Sequence, residues 1–336
     1  EAVGPAPSAD VTLGLRLCAS KVQHDGHVYN TTLKRDAGGD DKANYGFAAL
    51  WAPSDSFNMK LHYEVMKDKS EQGVYTNRNV VGELACTITQ IGFDPDNGCE
   101  KDANDGPDIT ESDSANYSDN SYKSTILTAN YDTDSFLYTY IYSQRDMDEE
   151  NLQDFDGSAA DLLSMNFFND WKQTSHEFRI TSQFSETFEF IAGVYDWESD
   201  FKQRWDVYDL FYQLSRLGVP PWGAGRQGVE GYSDVFPWES DVAGNNGQTQ
   251  VTTSTALFFS GDWYLNDQWT ATLGFRKTKE EKDFVGGASA PGYYPLRGEA
   301  WPGIFNPYFA KAEWNETTPN LGLRFQATDD ATYYAS

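Results

Sequence analysis

Trp51-Ala52-Pro53-Ser54-Asp55-Ser56-Phe57-Asn58-Met59-Lys60-Leu61-His62-Tyr63-Glu64-Val65 decides how this chain is read. A short polar turn stands between two aromatic residues. The segment leaving it carries an apolar or aromatic side chain at every second position. Strict alternation of that length marks a β-strand with one apolar face. The unit recurs at Asp132-Thr133-Asp134-Ser135, Ser185-Glu186-Thr187, Asn266-Asp267-Gln268 and Thr328-Asp329-Asp330-Ala331. Their aromatic flanks are Tyr131 and Phe136, Phe184 and Phe188, Tyr264 and Trp269, and Phe325 and Tyr333.

Between these turns the chain makes long polar excursions, from Asp68 to Asp119, Asp146 to Asp170, Arg204 to Gly247 and Val285 to Lys311. Strand, short turn, strand, long loop is the pattern of a transmembrane β-barrel. The aromatics beside the turns then form one girdle at headgroup level. Strands are expected over about 10–23, 42–52, 57–67, 121–131, 135–145, 171–184, 187–203, 250–265, 268–284 and 312–327, with another beginning near Thr332.

Facing follows from cost, because an Arg or Lys turned to lipid at the bilayer midplane costs about 2–4 kcal/mol. Arg16, Lys60, Glu64, Glu177, Arg179, Glu189, Arg276 and Arg324 are therefore expected on a polar lumen, with His62 and His176 beside them. Phe178, Ile180, Phe190, Leu273 and Leu321 are expected toward lipid.

Composition agrees. The 336 residues include 15% aromatics and carry a formal net charge of -27. Mean hydropathy is -0.63. No run reaches the roughly 18 apolar residues of a transmembrane helix, but a barrel strand shows lipid only every second residue. The acidic excess argues against a nucleic-acid partner and suits a solvated outer face. The chain opens on Glu1 without a signal peptide and closes on Ser336 a few residues into a strand. Both ends read as cut.

His176-Glu177-Phe178-Arg179-Ile180-Thr181-Ser182 followed by Phe190-Ile191-Ala192-Gly193-Val194-Tyr195 resembles a stretch of the TonB-dependent receptors of Gram-negative outer membranes. So do Leu273-Gly274-Phe275-Arg276-Lys277-Thr278-Lys279-Glu280, Thr317-Thr318-Pro319-Asn320-Leu321-Gly322-Leu323 and Ala331-Thr332-Tyr333-Tyr334-Ala335-Ser336. Asp25 to Asn30 and Leu50 to Asp55 are similar to an early barrel hairpin. The resemblance runs in order along nearly the whole chain. It shows no plug domain, no TonB box and no aromatic C-terminal barrel signal. It implies an all-β fold: one partial barrel over 1–336, with about ten or eleven of the roughly 22 strands of such a transporter. It also implies a receptor, not an enzyme, in the cell outer membrane. That receptor would be energised by TonB through the missing plug and would take up a bulky nutrient such as a ferric siderophore.

The remaining residues leave alternatives open. Trp205, Tyr208, Trp222, Tyr232, Trp238, Tyr293 and Trp301 in the long excursions would make either a capture surface for an aromatic or sugar-like ligand or the cores of ordered loops. Cys86 and Cys99 share one excursion and could close a disulfide, leaving Cys18 over. The Asx-Gly-rich loop from Asp94 to Asp108 carries the hard oxygens Ca²⁺ prefers but lacks complete EF-hand spacing, and turn chemistry accounts for it. His24 and His27 have no third ligand nearby and read as a solvated loop pair. No Gly-x-Ser-x-Gly elbow, phosphate loop or zinc spacing occurs. The competing functions are a passive porin-type channel and a soluble secreted carbohydrate-binding β protein.

Overall fold

The computed structural model describes residues 12–71, 73–76, 108–159, 163–182, 185–209, 246–288 and 308–336. Eleven strands form one antiparallel sheet: β1 (Thr12–His24), β4 (Asp40–Ser54), β5 (Phe57–Asp68), β7 (Tyr117–Asp132), β8 (Phe136–Asp154), β9 (Leu163–Ser182), β10 (Phe188–Asp209), β11 (Asn246–Tyr264), β12 (Trp269–Ala288), β13 (Tyr308–Thr328) and β14 (Ala331–Ala335), in that spatial order. β1 and β14 stand at opposite ends of the order, so the sheet is open among the described residues. β2 (Val28–Asn30), β3 (Arg35–Ala37) and β6 (Ile109–Thr110) make a separate three-stranded sheet at the long-loop end.

That small sheet falls within stretches read from sequence as loop. Its strands are too short for periodicity to register, and polar bonds hold it in place. The buried Asn30 amide donates to the Ser112 carbonyl at 2.9 Å, and its side-chain oxygen accepts the backbone N–H groups of Thr32 and Leu33. The fully buried Asp154 accepts from the Ser112 hydroxyl and from the N–H groups of Asp156 and Gly157. Gly26 turns the chain from β1 into β2 at φ +96, where an added Cβ would strike the Ala37 carbonyl.

The main strands are also longer than expected. β8 to β13 run 19–22 residues each, about twice what a spanning strand needs. The connection expected from Asp146 to Asp170 is largely ladder, with Asp146 opposite Lys172 and Asp154 opposite Ser164. Beyond the bilayer both faces meet water, so the apolar alternation that betrays a strand disappears while the backbone pairing continues.

Pairing register fixes which side chains share a face. One row reads Leu13, Trp51, Met59, Ala129, Tyr140, Phe178, Val194, Leu257 and Lys277. Another reads Tyr131, Tyr138, Ile180, Ala192, Phe259, Phe275 and Pro319. Apolar side chains on this face continue outward from each turn until Asp41, Lys67, Lys123, Gln144, His176, Asp196, Thr255, Lys277 and Thr317. Each limit lies eight to ten residues from its turn aromatic. At the rise and tilt of a barrel strand, eight to ten residues amount to roughly 20–25 Å, the height of a bilayer's apolar band.

The girdle forms on the same face. Trp51 meets Phe57 edge-on, Phe188 stacks on Trp263 and Trp269 stacks on Phe325, the last two pairs at 4.5 Å between centroids. Tyr264, expected in the girdle, lies on the opposite face and donates to Glu189, so Trp263 takes its place. Phe184 lies outside the described residues.

Among the described residues, nothing covers the apolar face. Val194 is 50% exposed, Leu257 51% and Leu321 65%. Val28, Ala37 and Ala256 are the buried hydrophobics among the described residues. A water-soluble chain of this size would enclose a large apolar core. Instead, the sheet's buried side chains include Thr139, Ser199, Thr252, Ser254 and Thr270, which lie on the polar face. Small buried chains on one face and large exposed ones on the other are the crowding of a curved sheet, polar side concave.

Candidate functional site: the polar face of the sheet

The polar face gathers the charges that the alternation sets apart. Arg16, Lys60, Glu64, Glu177, Arg179, Glu189, Arg276 and Arg324 all fall on it by register. His62 shares this face, but His176 does not. His176 follows the parity of Phe178 and pairs across from Tyr142, and the Tyr140 hydroxyl lies 2.8 Å from its Nδ1. The expectation of a lumen-lining His176 is corrected by that register: one residue's shift in parity reverses the face.

Several of these charges have partners on the same face. Arg179 Nη1 donates to Glu177 Oε1 at 3.2 Å. Arg324 Nη2 donates to Thr270 Oγ1 at 3.0 Å, and Tyr264 donates to Glu189 Oε2 at 2.9 Å. Arg276 donates to Thr278 and lies over the rings of Tyr195 and Phe258, at 5.6 and 5.9 Å. Gly193 makes room for this arrangement: a Cβ there would meet the Phe258 ring and come within 2.6 Å of the Phe178 carbonyl.

Further out, amide side chains form a chain of hydrogen bonds across five strands. Gln248 donates to Gln203 at 3.0 Å, Gln203 to Asn169 at 3.0 Å and Asn169 to Glu149 at 2.8 Å, and Tyr122 donates to Glu149 from the other side. Aromatics stand beside it on the same face. Trp171 Nε1 donates to Ser199 Oγ at 2.7 Å, and Lys282 lies 5.5 Å over the Trp314 ring. Sequence reasoning missed this aromatic set, with Tyr195, Trp197 and Phe258. Their parity is the signal in the sequence that places them on this face. The resulting wall offers cations, carboxylates, amides and π-faces.

At the outer rim, Asp40 takes a hydrogen bond from Lys42 at 2.6 Å and lies 2.7 Å from His24. These two partners, Lys42 first, hold its carboxyl below the usual carboxylate value. His24 is thus engaged by Asp40. No group of three or more metal-ligating side chains occurs among the described residues. Cys18 is a free, exposed thiol on the polar face. Cys86, Cys99, the loop from Asp94 through 107, Trp222, Tyr232, Trp238, Tyr293 and Trp301 lie outside the described residues. The backbone of Trp205 and Tyr208 belongs to the outer end of β10.

Residues 72–336 match the family model described as TonB dependent receptor-like, beta-barrel. The fold is similar to the ferric yersiniabactin uptake receptor FyuA from Yersinia pestis, with TM-score 0.65 and 14% identity over 99% of this chain and 42% of that one. It is similar to the ferric citrate transporter FecA in its unliganded form, with TM-score 0.59 and 9% identity over 99% and 39%. The siderophore receptor PiuA from Acinetobacter baumannii gives TM-score 0.55 and 11% identity over 96% and 44%. The chain therefore spans about two-fifths of the length of these proteins, and at such identity the likeness shows the fold alone. No curated protein matches it in sequence.

Proposed function

Because the chain belongs to the TonB-dependent receptor-like β-barrel family, we propose that it forms part of the wall of an outer-membrane uptake receptor of a Gram-negative bacterium. The family is one of receptors and transporters. The observation that carries the proposal is the two-faced sheet: an apolar band, uncovered among the described residues and closed by aromatics, on one side, and charged side chains, among them the Arg179–Glu177 pair, on the other. Lipid suits the first face, and a water-filled or plugged lumen suits the second.

In this reading the inward charges contact a plug supplied elsewhere in the protein, and TonB moves that plug. The outer aromatics, among them Trp205, Tyr208, Trp222, Tyr232, Trp238, Tyr293 and Trp301, capture the cargo. A ferric siderophore is the cargo class proposed, in keeping with the uptake receptors whose fold this chain shares. The Cys86–Cys99 bridge remains part of the proposal for the same outer surface. The test is uptake of radiolabelled ferric siderophores by cells with and without the full-length gene. Uptake should require both the gene and TonB. Uptake that persists at full rate without TonB would instead indicate a passive channel.

A further inference from the structure

A groove of about 480 Å³ opens on the apolar face between β8 and β12. Phe178, Val194 and Leu257 make its floor, joined cross-strand in a single row. Tyr140 and His176, linked at 2.8 Å, form one flank, and Lys277 and Lys279 the other. The two lysines differ in circumstance. Lys279 forms ion pairs with Glu281 and with Glu313, the latter at 3.7 Å. Lys277 forms none among the described residues, and its cross-strand partners are Leu257 and Thr317. Asp196 also lines the groove, at its outer end opposite His176 and Thr255 and two strands from Lys277.

We propose that this groove binds a phosphate-bearing acylated lipid, with an acyl chain over Val194 and Leu257 and the phosphate on Lys277. The inference rests on the membrane reading above. Lys277 ends the apolar run that begins at Trp269 on β12, so its ammonium sits at headgroup depth on the lipid side. There a cation without a protein counter-charge attracts an anionic headgroup, and a long lysine stem lets it reach while its methylenes stay apolar. The floor beneath is apolar, as an acyl chain requires. A free anion would gain the charge but not the floor.

The test uses the full-length protein in neutral detergent micelles and native mass spectrometry. The probes are didecanoyl phosphatidic acid, didecanoyl glycerol with the same chains and no phosphate, and inorganic phosphate. Phosphatidic acid should bind at least about fivefold better than the neutral lipid, and Lys277→Gln should remove that preference, the share of one surface cation. Lys277→Arg should keep it. Lys67→Gln, an exposed lysine on the same face but outside the groove, should leave it unchanged. Heat-modified gel mobility checks that each variant is folded. Equal binding of the two lipids, or an unaltered preference in Lys277→Gln, overturns the proposal. Displacement of the lipid by millimolar inorganic phosphate overturns it in favour of a simple anion site. A protein that needs no detergent to stay soluble overturns the membrane reading and this inference together.

Discussion

Replacing Leu273 by arginine should destabilise the membrane-inserted protein, whereas the same change at Asn320 should not. The two residues sit one row apart on neighbouring strands: Leu273 pairs with Gly261 and Leu321, and Asn320 pairs with Gly274. They differ in face. Leu273 stands about four residues from Trp269, roughly 10 Å up a band about 25 Å tall, close to the midplane. An arginine on the lipid face there costs about 2–4 kcal/mol. Leu273 is 45% exposed on the sheet, so losing its contact with lipid adds about 1 kcal/mol, half the full transfer of a leucine. The sum, about 3–5 kcal/mol, is roughly two to three and a half orders of magnitude in the folding equilibrium. At Asn320 an arginine enters an exposed polar position and should stay within about 0.5 kcal/mol. The assay is equilibrium urea unfolding of the full-length protein in phosphatidylcholine vesicles. Equal costs at the two sites, or a larger cost at Asn320, would refute the assignment of faces.

Gly193→Val should cost about 1–3 kcal/mol, the usual penalty of overpacking, because its side chain would meet the Phe258 ring and the Phe178 carbonyl. Gly14→Ala, whose nearest neighbour is Leu50 Cβ at 3.6 Å, should be nearly silent in the same unfolding assay. Trp269→Ala should cost about 1–2 kcal/mol by removing the stack on Phe325 and a headgroup anchor. Tyr264→Phe, which breaks only the bond to Glu189, should cost less. Burial, then the bond to Glu150, pushes the Tyr117 hydroxyl up from 10.0 to about 12. The folded state favours the neutral phenol, so this stabilisation is full below pH 10 and is lost as pH rises toward 12. Tyrosinate absorbance should accordingly lose a late-titrating component in Tyr117→Phe, and a component that disappears near pH 10 would contradict the structure.

Legibility in the sequence tracked the bilayer. Where one face meets lipid, alternation is enforced by desolvation, and the spanning parts of all eleven strands could be read from it, from Leu13 to Tyr333. Where both faces meet water, as from Asp146 to Asp154 and from Leu163 to Asp170, only backbone bonding defines the strand, and composition suggests a loop. The small sheet of Val28, Arg35 and Ile109 depends on contacts across some eighty residues, such as Tyr29 with Ile109, which no local pattern encodes. Within the polar face, Glu177, Arg179, Arg276 and Arg324 were readable because charge is costly toward lipid. Tyr195, Trp197 and Phe258 were not, because an aromatic is tolerated on either side. His176 was misplaced for a related reason: it looks polar, but its parity is that of Phe178.

Collision accessibility of spin labels in vesicles tests the central claim most directly. Single cysteines would be placed in a background of the full-length protein in which Cys18, Cys86 and Cys99 are each replaced by Ser, at Tyr140, Phe178, Val194 and Leu257, and at their chain neighbours Thr139, Glu177, Tyr195 and Ala256. The first four should collide with oxygen dissolved in lipid and be shielded from a water-soluble nickel chelate. The second four should show the reverse of that contrast. A period of two that keeps one phase across β8, β9, β10 and β11 is the predicted result. Labels at Phe178 and Leu257 that collide with the nickel chelate as freely as those at Glu177 and Ala256 would contradict a membrane-spanning wall.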